Sequence, residues 1–178
     1  EFLLQQVLEN HPSLSGLTGC RGLQALRVIT HVDEAGQTQL LHCHLKVISR
    51  ADIITDTCIE GLNGNIEVPV DMATGRLQSG NRITGSGQGI VEVSRHPLTG
   101  LPFEGFPIPH WETMKEWIGK IAGDFLPIRT VGWDVALTPD GPRLLEGNIW
   151  YDPPNQHRRM AEIMRAYLPS WERRMTSE

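Results

Sequence analysis

No apolar run in this 178-residue chain approaches the ~20 residues that a membrane-spanning helix needs. Cysteine is scarce: Cys20, Cys43 and Cys58 are odd in number, far apart and without a C-x-x-C pair. That spacing argues against a disulfide scaffold or a Cys-rich zinc site and makes a reducing compartment the expectation. Basic charge is also short, since 16 Lys+Arg stand against 21 Asp+Glu for a formal net charge of −5. A nucleic-acid footprint would need the opposite balance. The opening Glu1-Phe2-Leu3-Leu4 has no Met and no basic stretch before an apolar core, so no signal peptide is read there. The expectation is a cytoplasmic fragment or processed chain, with no nucleic-acid and no membrane partner.

What is present is glycine and proline, 18 and 12 residues, with 39% hydrophobic and 21% charged residues. This is the composition of a single globular domain rich in strands and turns rather than of a helical bundle. Residues 2–8 read as a short strand stopped by Asn10-His11-Pro12, and 13–22 hold room for one helical turn. Residues 23–32 and 38–49 flank the turn-forming 33–37 as a hairpin. In its second arm Leu41, Cys43, Leu45 and Val47 take one face, and His42, His44 and Lys46 the other. Between 51 and 100 Gly61, Gly64, Gly75, Gly80, Gly85, Gly87 and Gly89 interrupt the pattern, with strands expected at 65–70 and 88–94. Trp111, Met114, Trp117, Ile118, Ile121 and Phe125 recur at helical spacing, with a Glu116–Lys120 pair on the opposite side. Strands at 130–138 and 142–150 follow. A last helix after Asp152-Pro153-Pro154 buries Met160, Ile163, Met164, Tyr167 and Leu168 and solvates Arg158, Arg159 and Arg165. The fold class is therefore α+β, an antiparallel β-sheet with packing helices.

The most informative stretch is residues 131–148. Pro139-Asp140-Gly141 suits a three-residue hairpin loop, which pairs Thr138 with Pro142 and sets Asp134 across from Glu146, with Asn148 on the same face. Opposed carboxylates have Cβ atoms about 4.5–5.5 Å apart and repel, and a divalent cation between them removes the conflict. Asp134, Glu146 and Asn148 are an oxygen set of the kind Mg²⁺ takes. A solvated acidic face, or a register one residue different, fits the same letters. Small neighbours, Gly132 and Ala136, leave room for a ligand.

The run 132–148, Gly-Trp-Asp-Val-Ala-Leu-Thr-Pro-Asp-Gly-Pro-Arg-Leu-Leu-Glu-Gly-Asn, resembles the C-terminal metal-binding hairpin of ATP-grasp enzymes. More narrowly it resembles their sugar-transfer-associated, glutamate-ligase-related branch. Other pieces match in order: Leu3-Leu4-Gln5-Gln6 with His11-Pro12 is similar to the hinge strand that meets adenine, and 26–30 to the branch's arginine strand. Val68-Pro69-Val70-Asp71 with Thr74-Gly75, His96-Pro97 with Thr99-Gly100, and Gly105-Phe106 with Ile108-Pro109-His110-Trp111 follow. The resemblance implies the C-terminal half of an ATP-grasp fold in one domain over 1–178. The lysine and glycine-rich loop half would be missing, or supplied by a partner chain.

The implied activity is an Mg-ATP-dependent carboxylate–amine ligase, or one using a similar nucleophile. It would act through an acyl-phosphate, in polysaccharide or cell-surface metabolism. The implied cofactors are Mg²⁺ and ATP; the implied partners are ATP and a small carboxylate or sugar-linked substrate. By position, Asp134, Glu146 and Asn148 would hold Mg²⁺. Arg27 and Lys46 would face the phosphates as catalytic residues. Gln6, Val7 and Leu8 would meet adenine, and Glu9 the ribose. The branch's Asn-Gly-Gly loop has no clear counterpart in 52–64. The alternative is a non-catalytic or truncated grasp half acting as a binding module, in which case this chain alone is inactive. A third reading is a metal-dependent hydrolase using His42 and His44 with Asp134 and a transition metal. His110 is expected at a helix start, His96 in a turn, Cys43 on the apolar side of its strand and Cys58 in a loop.

Overall fold

The computed structural model describes residues 2, 4–58, 62–85 and 89–151, so the expected last helix, with Met160 to Leu168 and its arginines, lies outside them. Elements run α1 (Pro12–Thr18), β1 (Ala25–Val32), β2 (Thr38–Val47), β3 (Ile66–Asp71), β4 (Arg76–Leu77), β5 (Gly80–Ile83), β6 (Ile90–Val93), α2 (Trp111–Asp124), β7 (Thr130–Thr138) and β8 (Gly141–Asn148). One antiparallel sheet is ordered β6-β5-β3-β2-β1-β7-β8, with β4 paired to β3. The chain lays down β1 to β6 outward from the centre. It then crosses by α2 and returns to the free side of β1, so the central strand meets the second arm of its own hairpin on one side and β7 on the other.

Local chemistry explains the elements. Pro12 opens α1, where its missing N–H costs nothing, and the His11 ring Nδ1 accepts from Ser13 N. Gly19, at φ 66°, closes it in the left-handed conformation that glycine adopts freely. In the 33–37 turn Asp33 Oδ1 accepts from the backbone N–H of Ala35 and Gln37 at 2.9 and 2.8 Å, the local bonding that makes Asp a turn residue. Helix α2 buries Trp111, Met114, Ile118 and Ala122, with Trp117 and Ile121 packed at the core's edge. Phe125 stays half exposed but sets its ring edge-on to Trp133 at 5.1 Å. Lys115 bonds Glu112 at 2.9 Å; no Glu116–Lys120 pair is made among the described residues.

The sheet has two unlike faces. Val28, Cys43, Leu45, Val47, Val68, Trp133 and Val135 join Leu14, Leu17 and the α2 residues in one apolar cluster. The opposite face carries the polar residues. Two bulges set which side chain goes where. Ile29 pairs with His42 but Thr30 with Leu40, so Leu41 is the extra residue and Leu40, not Leu41, packs on the core. In the other hairpin the loop is shorter than expected: Thr138 pairs with Gly141 and Leu137 with Pro142, while Thr138 Oγ1 donates to Gly141 O at 2.8 Å. That slip would put Asp134 opposite Leu145. A bulge between Asp134 and Val135 absorbs one residue and restores the Asp134–Glu146 pairing.

Residues 4–10 are not a strand. Among the described residues no backbone runs alongside them, and a lone extended segment has nowhere to place its N–H and C=O groups except water. Asn10 ends the segment instead, donating to Gly22 O and accepting from Gln24 N at 2.8 and 2.9 Å. Among the described residues no helix is long and apolar enough to cross a membrane.

Candidate functional site

Arg27 sits on the central strand with His44 as its Cα partner on one side and Asp134 on the other. Period-two alternation puts all three on the polar face, with Lys46, His42, Glu67 and Glu146. Arg27 grips the Asp134 carboxylate with two donors, Nε to Oδ1 at 2.6 Å and Nη2 to Oδ2 at 3.3 Å, the fork geometry that makes Arg–carboxylate pairs strong. Lys46 Nζ donates to the same Oδ2 at 2.9 Å. Asp134 is 4% exposed, and a carboxylate that buried needs such partners.

A second acid completes the group. Asp56 Oδ2 lies 3.2 Å from Lys46 Nζ and accepts from Ala25 N at 3.0 Å. Burial pushes its carboxyl above the ordinary value, against the Lys46 charge, which pulls it down. Asp56 is held there by the loop's own asparagines. Asn65 Nδ2 donates to the carbonyls of Thr55 and Thr57 at 2.8 and 3.1 Å, and buried Asn63 donates to Thr57 O as well. The same burial raises the nearby Cys58 thiol to about 12, with Glu67 and Asp56 adding to the rise, so it is no nucleophile at neutral pH.

Beneath the cations His42 Nε2 and His44 Nδ1 lie 3.0 Å apart. Burial, then His42, Arg27 and Lys46, hold His44 far below its usual range and therefore neutral. The two rings bond to each other. Among the described residues no group of three His, Cys, Asp or Glu side chains is arranged for a metal. His96 is buried and its Nε2 bonds Ile48 O at 2.9 Å, a tie between turn and strand end. His110 caps α2 in the left-handed region at φ 57°, without a side-chain cap bond.

The expected oxygen set is only partly assembled. Glu146 and Asn148 share the Asp134 face and touch, Asn148 Nδ2 donating to Glu146 Oε1 at 3.0 Å, while both Asp134 oxygens are taken by Arg27 and Lys46. The donors are all hard oxygens on one face, which fits Mg²⁺ in chemistry; Asp134 enters such a set only by loosening its cations. The space at Gly132 is filled, because a Cβ there would lie 2.8 Å from the Tyr151 side chain. Gln6, Val7, Leu8 and Glu9 stand apart: no hydrogen bond or ion pair joins them to the cluster among the described residues, and Val7 is 86% exposed. Asp56 escaped sequence reasoning altogether. Its only signal is an acid within the Ile53-Ile54-Thr55-Asp56-Thr57 run, which does not reveal that Asn63 and Asn65 fold that run back on the sheet.

An antiparallel sheet with helices, in an α+β arrangement with a charged cluster on its polar face, is consistent with a partial ATP-grasp fold. The family model of sugar-transfer associated ATP-grasp matches residues 1–155, and the chain belongs to that family. The assignment brings with it ATP binding and an ATP-dependent, ligase-type function. Neither the curated proteins nor the solved structures give a significant match to the chain.

Proposed function

We propose that the polar face of this sheet is the C-terminal part of the site of an Mg-ATP-dependent ligase. It would join a small carboxylate or sugar-linked acid to an amine or similar nucleophile through an acyl-phosphate. The observation that carries this reading is the cluster itself: Arg27 and Lys46 converge on one buried carboxylate, with Glu146 and Asn148 beside it on the same face.

Two fixed cations at the centre of a sheet face are what a polyphosphate or acyl-phosphate oxygen meets, and they need no new charge to be brought in. A phosphate competing for Arg27 and Lys46 loosens their hold on Asp134. Asp56 keeps Lys46 anchored while this happens, because it bonds the ammonium independently. Asp134, Glu146 and Asn148 would hold Mg²⁺, which supplies charge neutralisation on the transferred phosphoryl group when bound. Gln6 to Glu9 would meet the nucleoside; Gln6, Val7 and Glu9 are exposed and Leu8 half-buried, and among the described residues they carry no side-chain bonds that binding must break.

Titration calorimetry with Mg²⁺ and a non-hydrolysable ATP analogue tests the reading. Wild type should bind, and the Asp134→Asn/Glu146→Gln double variant should lose binding; a double variant that binds as tightly as wild type overturns the reading. A second reading, a binding module without catalysis, draws support from the complete pairing of Asp134 by Arg27 and Lys46. It expects nucleotide binding without release of ADP in the presence of any acid and amine pair.

A further inference from the structure

Where β2 and β5 end and β3 begins, the fold forms an open cavity of about 430 Å³ that shares no lining residue with the Arg27–Lys46–Asp134–Asp56 cluster. That volume lies in the range of small-molecule sites, roughly 300–1,000 Å³. Its charged wall is of one sign. Arg50 and Arg82 line it, and no Asp or Glu does among the described residues, in a chain of net charge −5. Such a local reversal concentrates anions. Arg50 is engaged with exposed Asp52 at 2.6 Å. Arg82 makes no side-chain hydrogen bond or ion pair among the described residues.

A second observation points the same way. Ser49 is 3% exposed, and its backbone N–H is used on Asn65 Oδ1 at 3.3 Å. Its Oγ faces Gly64 in the cavity wall, where a Cβ would stand 3.4 Å away. That hydroxyl has no hydrogen-bond partner among the described residues. A hydroxyl at that wall can donate to or accept from a ligand oxygen in the cavity. Leu62 and Ile83 give the cavity an apolar side.

We propose that this cavity is a binding site for a small organic anion. Its carboxylate or phosphate is held by Arg82 and Ser49 Oγ, Arg50 adds charge, and its apolar body lies on Leu62 and Ile83. The planar guanidinium fork suits either oxyanion. The site stands independently of the nucleotide reading, since none of its residues belongs to the charged cluster.

NMR titration of the 178-residue chain with inorganic phosphate, and separately with succinate, tests it. The Arg82 Nε and Ile83 amide signals should shift saturably with at least one probe, and the tighter probe names the oxyanion class. Arg82→Gln should weaken that binding about tenfold and Ser49→Ala about threefold. Arg82 is exposed, so the variant's unshifted spectrum elsewhere certifies the fold. Absence of saturation with both probes overturns the proposal. So does saturation that Arg82→Gln does not weaken, which would mean an adventitious ion only. Neither failure touches the calorimetric test of the charged cluster.

Discussion

Arg27 and Asp134 are Cα partners on adjacent antiparallel strands and also a two-point charge pair, with Nε–Oδ1 at 2.6 Å and Nη2–Oδ2 at 3.3 Å. Backbone register and side-chain chemistry therefore fix the same contact. The pair continues into two further ions, Lys46 on Asp134 and Asp56 on Lys46, and the four alternate in sign.

Asp134→Asn removes the charge that both cations share. The side chains of Arg27 and Lys46 are 16% and 12% exposed, so they are left buried and underpaired, and the expected loss is about 3 kcal/mol of stability. Asp56→Asn should cost well under half of that, because burial already works against its charge and an amide oxygen still accepts from Ala25 N. Urea unfolding of the two variants measures the contrast; equal losses would contradict it.

Stability should fall as the solution is acidified below about pH 6.5. His44 is held far below the usual histidine value of 6.5, and His11, His31 and His96 are lowered too, each chiefly by burial. Below 6.5 the unfolded chain takes up protons that the folded chain refuses, so protonation favours unfolding. Asp56, raised from 3.8, acts oppositely, but its window begins at that lower value. Urea midpoints measured at about pH 7.5, 6.5 and 5.5 should decline in that order, and His44→Gln should reduce the slope by about one proton.

Cys58 should resist alkylation. Its thiol is pushed up to about 12 and Cys20 and Cys43 are buried, so at about pH 8 almost no thiolate exists to react. Iodoacetamide labelling followed by mass spectrometry should find the native chain unmodified while the urea-unfolded chain takes three labels. Rapid native labelling at Cys58 would show that the loop opens readily.

Glycine replacements should separate by what a Cβ meets. Gly132→Ala pushes into the Tyr151 side chain at 2.8 Å, and Gly75→Ala runs into the Trp111 indole at a backbone φ of 67°; each should cost about 1–3 kcal/mol. Gly119, inside α2 with nothing within 4 Å, should gain about 0.5–1 kcal/mol as Ala. Melting temperatures of the three variants decide the order.

The elements were legible because each depends on neighbours in sequence. The α2 stripe, the 33–37 turn and the β7–β8 hairpin follow from spacing and turn chemistry within a few residues. The Asp134–Glu146 pairing was also legible, although the route to it was not. A hairpin loop one residue shorter is offset by a bulge at Val135, and a bulge has no letter of its own. Residues 2–8 read as a strand by composition, yet a strand is defined by a partner, and among the described residues no partner backbone lies along 4–8.

The sequence by itself determined the α+β class, the antiparallel sheet and the family, because periodicity and ordered motifs survive without coordinates. Only tertiary structure decided which ions meet. Arg27, Lys46, Asp56 and Asp134 span more than a hundred positions and come together through β1 pairing on both sides and a loop pinned by Asn63 and Asn65. It decided as well that the oxygens of Asp134 are shared by two cations and that Ser49 and Arg82 face one cavity. Contacts of this kind are set by strand order and loop packing, which depend on the whole chain at once, and no local pattern of residues encodes them.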